Sequence, residues 1–206
     1  MANILDLLNS DLGKQIIGGI SSQTNTSTKD TKSVLTSALP AMLGGLHKNA
    51  AEGNGDGILN ALNSHDGSIL NNITDFIGGG SKVSQDGNSI LGHIFGNKVD
   101  AVNSGISKQS GVAKDKVSSI IALAAPILMG YLGKEKSNSK VNDNSGLSGM
   151  LGGLLGGSGG NILSSLLDQD GDGKLGLNDI ASVLSGNNKK SGGLLGGLLG
   201  GLFGGK

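Results

Sequence analysis

Asp168, Asp170 and Asp172 alternate along one short stretch, Gly173 follows them, and Asp179 closes the run DQDGDGKLGLND at residues 168–179. Carboxylates two residues apart can converge on one centre only if the chain wraps round it. Glycine at the sixth position permits the sharp turn such wrapping needs. Across the twelve residues four Asp and one Lys give a formal charge of −3. Left empty, such a ring repels itself, so a divalent cation should order the segment as it binds. Hard oxygen donors suit Ca²⁺. Lys174 would contribute its main-chain carbonyl, and Gly176, with no side chain, would coordinate through a water.

Counted as an EF-hand loop, Asp168, Asp170, Asp172, Lys174 and Asp179 fill positions 1, 3, 5, 7 and 12. Residues Asn161–Leu167 lead in and Leu177–Leu184 lead out. Ile162, Leu163, Leu166 and Leu167 can meet Ile180, Val183 and Leu184 in a small seam that Leu175 also enters. Residues 161–186 therefore read as an EF-hand-like calcium-binding hairpin. The last ligand is Asp rather than Glu, one methylene shorter, which makes bidentate reach harder. The expected dissociation constant is on the order of 10⁻⁵ to 10⁻³ M, with Mg²⁺ competing. This loop also resembles one of the paired calcium loops of dockerin modules, over about twenty residues. The alternative, a Gly/Asp-rich turn, does not account for apolar helical segments on both sides.

Other candidates are weaker. EGNGDGILNALN at 52–63 offers Glu52, Asn54 and Asp56 in the right order, but Glu52 and Asn63 are poor end ligands, and the segment reads as a turn before a helix. Asp66-Gly67 and Asp86-Gly87 read as turn and helix-start signals. His47, His65 and His93 are widely spaced, with no HExxH pairing. No G-x-S-x-G elbow and no phosphate-binding loop occurs. The reading is therefore of a protein that is not an enzyme. With 16 Lys, no Arg, no Trp, one Tyr and three Phe at net charge zero, the guanidinium forks and stacking platforms of nucleic-acid binders are missing, and no nucleic-acid partner is expected. Absence of cysteine removes disulfides and thiol chemistry.

The elements that must carry the loop fall into two compositional regimes. Of 39 glycines, 20 lie in the last 66 of the 206 residues. From Lys134 to Gly149 hardly an apolar residue occurs, so 136–160 is expected to be a solvated Gly/Ser/Asn-rich linker. The segments 147–160 and 192–205 repeat Leu pairs between Gly pairs. As helices they would put leucine on one side, but glycine disfavours helix by up to about 1 kcal/mol per residue relative to Ala. The tail 187–206 is expected to be disordered in isolation and to promote self-association, attachment to an unknown protein partner, or membrane contact without spanning. MANILDLLNSDLGK lacks the basic start and apolar run of a secretory signal, so the expected address is the cytoplasm.

Residues 2–48 and 88–134 match without a gap at an offset of 86, with twelve identities that include Gly19/Gly105, Pro40/Pro126, Gly44/Gly130 and Lys48/Lys134. Chance identity in Gly/Ser/Leu-rich sequence is the alternative; the missing gaps and the pairing of the only two prolines favour an internal duplication. Each copy reads as a short helix, a Gly-Ile-Ser turn and a longer helix kinked at its proline. Val117, Ile120, Ile121, Ala124, Leu128 and Leu132 fall at three- and four-residue spacing, the stripe of a core helix. The run is shorter than the ~20 residues a bilayer requires. No period-two apolar runs occur, so the predicted fold is all-α: a duplicated helical domain at 1–135 with a pseudo-twofold, then linker, hairpin and tail.

The strings HDGSILNNI at 65–73, ILGHIFGNK at 90–98 and QSGVAKDKVSSIIALAAPILMGYLGK at 109–134 resemble the bacterial family known as domain of unknown function 937, over roughly residues 1–135. The resemblance implies a helical bacterial protein with no established activity and a Gly-Leu-rich end. Ala113 departs from it: a helix-start position that favours Ser or Thr in the family, and that is Ser27 in the first repeat, has lost its hydroxyl. That loss should cost about 1 kcal/mol.

Overall fold

Apolar side chains three and four residues apart can be buried together only on a helix, and that spacing runs through the chain. In the computed structural model, which describes residues 4–156, nine α-helices and no strand occur among the described residues. They are α1 (Ile4–Asn9), α2 (Asp11–Thr24), α3 (Thr28–Asn49), α4 (Gly55–Ser64), α5 (Ile73–Gly78), α6 (Ser81–Phe95), α7 (Val99–Ser110), α8 (Lys114–Asn138) and α9 (Asn144–Leu155). A π-helical turn, Ala50–Asn54, joins α3 to α4, and 3-10 turns occupy Ser68–Asn72 and Gly96–Lys98.

Helix α8 is the axis of the core. All six residues of its stripe are buried, and so are Ala122, Leu123, Ala125, Ile127 and Met129 on its other sides. A helix apolar all round must be covered all round. Helices α2, α3, α4, α6 and α7 and the 68–72 turn all pack on it. By length and mean hydropathy α8 could cross a membrane, but 78% of its most apolar window is buried inside this domain. Both α3 and α8 continue past their interior prolines, Pro40 and Pro126.

The packing partners interchange between the two long helices. Helix α2 lies on α3 and α8, and α7 lies on α8 and α3; α4 lies on α8, whereas α9 lies on α3. The helix after α3, α4, thus lies on α8, and the helix after α8, α9, lies on α3.

Three local expectations are corrected. The Gly-Ile-Ser strings at 19–21 and 105–107 are not turns but lie inside α2 and α7, where Ile20 and Ile106 are buried. The chain breaks later, at Asn25 (φ 51°) and Gly111 (φ 72°), both in the left-handed region that ends helices. Core burial of the isoleucine outweighs the weak helix propensity of its neighbours. Asp86-Gly87 does not start a helix either; it lies in the middle of α6, and Gly87 is there because a Cβ would strike the Ala122 backbone of α8. Finally, the span read as linker contains the end of α8 and all of α9. Asp143 caps α9 by accepting from the Gly146 amide at 2.7 Å, and Leu147, Met150, Leu151, Leu154 and Leu155 join the main core. The polar run gives way to the leucines of α9, and those five apolar residues share one face.

Candidate functional site

The five residues with metal-ligand spacing, Asp168, Asp170, Asp172, Lys174 and Asp179, lie outside the described residues, as do the rest of the 161–186 hairpin and the 192–205 tail. Within 4–156 the question is what the helices bring together.

The rejected loop at 52–63 does form a turn and a helix. Glu52 lies in the π-helical turn 3.7 Å from Lys48 Nζ, Gly53 bends the chain at φ 97°, and Asp56 falls in the first turn of α4. Its acids do not converge; among the described residues no three His, Cys, Asp or Glu side chains are grouped to hold a metal. Asp66 is a turn residue as read: its Oδ1 accepts from the Ser68 amide at 2.9 Å. That amide, helped by the Ser68 hydroxyl, holds the Asp66 carboxyl below the ordinary Asp range. The three histidines stay apart in role. Among the described residues His65 alone of the three pairs with an acid, its Nδ1 2.8 Å from the Ala61 carbonyl and its Nε2 3.8 Å from Asp86 Oδ2. It fastens the end of α4 to α6. The small void lined by Leu8, Ile16, Leu35 and Leu128 among others has no polar lining; about 10 Å³ leaves no room for a ligand.

What the sequence did not reveal is a set of polar fasteners between distant segments. The Thr24, Thr26 and Thr31 hydroxyls form a chain with two contacts of 2.8 Å, and Thr31 is fully buried. Lys116 Nζ, from the first turn of α8, donates to the Thr24 carbonyl at 2.8 Å. A cation there meets the negative end of α2. Asn49 Nδ2 donates to the His93 and Ile94 carbonyls at the end of α6, each at 3.1 Å. No local periodicity signals the Asn49 and Lys116 contacts, since their partners are 44 to 92 residues away.

At the helix junctions, pairs of contacts recur 86 residues apart. Ser21 Oγ donates to the Thr26 carbonyl at 2.7 Å and Ser107 Oγ to the Val112 carbonyl at 2.6 Å. Thr24 Oγ1 donates to the Ile20 carbonyl and Ser110 Oγ to the Ile106 carbonyl, both at 2.7 Å. The caps differ: Ser27 Oγ accepts from the Asp30 amide at 3.0 Å, while Ala113 has no side-chain cap.

A family model described as bacterial protein of unknown function (DUF937) matches residues 6–135. The match spans more than half of the chain, and the chain belongs to that family. No curated protein and no solved structure matches it.

Proposed function

We propose that this family member is a non-enzymatic calcium-binding protein, in which a duplicated helical domain carries an EF-hand-like loop at 168–179. One observation carries the reading: the placing of carboxylates at positions 1, 3, 5 and 12 round a glycine at 6. Asp168, Asp170, Asp172 and Asp179 supply side-chain oxygens and Lys174 its carbonyl; Ca²⁺ is the ion, and Mg²⁺ its competitor. The ion's work is to fold the loop, because four carboxylates cannot approach one another without it. Calorimetric titration of the intact chain with Ca²⁺ tests this beside the Asp168→Ala, Asp172→Ala double variant. Saturable heat from the wild type alone is the expected result, and equal heats would overturn the assignment.

The duplication is part of the same proposal. It is supported by the two hydroxyl-to-carbonyl bonds that recur at the 86-residue offset, by left-handed residues at Asn25 and Gly111, and by the interchanged packing of α2 with α7 and α4 with α9. The bonds and the left-handed residues keep the same 86-residue offset, which compositional bias does not readily produce.

A second reading, of an assembly or membrane-associated module, is favoured by α9. Its buried Leu147, Met150, Leu151, Leu154 and Leu155 have the spacing of Leu195, Leu198, Leu199, Leu202 and Phe203 in the tail. Deleting 191–206 should lower the mass measured by light scattering if the tail joins copies; flotation with liposomes distinguishes a lipid partner. No change in either assay removes this reading.

A further inference from the structure

The first copy of the helical unit has a segment beyond α4 whose counterpart in the second copy is still to be placed. Gly67 turns the chain at φ 90°, the 3-10 turn Ser68–Asn72 follows, and α5 completes the segment. It lies on α8 and α2. Small residues shape its seat. A Cβ on Gly130 of α8 would come within 2.7 Å of Ile69 Cδ1, and one on Gly19 of α2 within 2.7 Å of Ile77 Cδ1. A Cβ on Gly67 would lie 2.8 Å from Lys134 Cβ and 3.0 Å from the Gly130 carbonyl oxygen.

All three seat residues recur at the repeat offset: Gly44 for Gly130, Gly105 for Gly19, and Lys48 for Lys134. Gly44 and Lys48 are on α3 and Gly105 is on α7, two helices in contact with each other as α8 and α2 are. The sequence also holds a second version of what sits on the first seat. GNILSSLLDQDG at 160–171 aligns without a gap with GSILNNITDFIG at 67–78. Five of twelve residues are identical: Gly67/Gly160, Ile69/Ile162, Leu70/Leu163, Asp75/Asp168 and Gly78/Gly171. Leu166 stands where the buried Ile73 does.

We infer that residues 160–168 dock on the α3–α7 seat as 67–75 dock on α8 and α2, which fastens the calcium loop to the helical domain at its first ligand. This rests on the duplication and on the calcium reading given above. Helix α9 ends at Leu155 on the α3 side, and the few residues to Gly160 span roughly 3.5 Å each when extended. The two copies part where function demands it: Ile77, which sits on Gly19, has Asp170 as its counterpart, the third position of the loop. From there the second copy leaves the path of α5 and closes round the ion. Ile162 and Leu166 in the seat hold Asp168 in place, so docking and ion binding support each other.

The test is a methyl-to-Hα NOE measurement on the intact chain, with and without saturating Ca²⁺. Ile69 δ1 to Gly130 Hα is the internal control, and Ile162 δ1 to Gly44 Hα is the expected new contact. The control without the new contact in either state overturns docking. Amide shifts of Gly171 and Gly173 during the titration report the metal separately. Shifts without the contact leave calcium binding and refute docking; the contact without shifts does the reverse. As a second check, Gly44→Val should speed amide exchange over 162–167 at least tenfold and leave 68–77 unchanged. Unchanged exchange over 162–167 with 68–77 still protected counts against the seat.

Discussion

The junction between α2 and α3 and the junction between α7 and α8 share two hydroxyl-to-carbonyl bonds and a left-handed residue at the break, and differ in their remaining polar detail. The first turns on Asn25, caps α3 with Ser27 and links three threonine hydroxyls in a part-buried chain. Its counterpart turns on Gly111 and leaves α8 without a side-chain cap at Ala113. The retained bonds close the helix end and set the path of the chain; the capping bond only adds stability. The start of α8, where Ala113, Lys114 and Asp115 are exposed, is tied down instead by Lys114 on Asp100, by Lys116 on the Thr24 carbonyl and by the buried Val117. Helices α2 and α7 thus share their packing partners, α3 and α8, while the two junctions are unequal in polar detail.

Core truncation should give the largest effect and the sharpest test of that equivalence. Leu46 and Leu132 are identical, occupy matched positions and are both buried. Leu46→Ala and Leu132→Ala should each destabilise by about 2–5 kcal/mol, and by similar amounts, in denaturant titration. A near-neutral result at one site would break the comparison. Next come glycines whose surroundings differ. Gly133→Ala drives a Cβ into the His65 carbonyl and should cost roughly 1–3 kcal/mol. Gly57→Ala, in α4 with open space beside it, should instead stabilise by about 0.5–1 kcal/mol. Opposite signs in thermal melts are the expected outcome. Smaller still is the cap. Ser27→Ala should lose about 1 kcal/mol, and Ala113→Ser should gain a comparable amount if its hydroxyl reaches the third amide on, Lys116. A neutral Ala113→Ser would mean that solvent already serves the exposed amides at the start of α8.

The helical class was legible because apolar spacing is a local property; the stripe from Val117 to Leu132 is buried as read. Boundaries were less legible where a residue type has two uses. Gly19 and Gly105 look like punctuation, yet Gly19 makes room for Ile77, a contact visible only once α5 is in place. The polar run after Lys134 hid α9, whose leucines find their partners on α3 about a hundred residues earlier. Long-range fasteners such as Lys116 to Thr24 leave no periodic trace at all. The proposed ligand spacing at 168–179 is the opposite case: five residues within twelve, a local pattern that needs no distant partner to be read.

Amide hydrogen exchange across the whole chain, with Ca²⁺ and then with chelator, bears most directly on the claim that the ion orders the C-terminal loop of a domain that stands without it. Protection should rise with Ca²⁺ over residues 161–184 and stay constant through the helices from Ile4 to Leu155. Exchange over 161–184 that is indifferent to Ca²⁺, or a helical core that opens when the ion is removed, would contradict it.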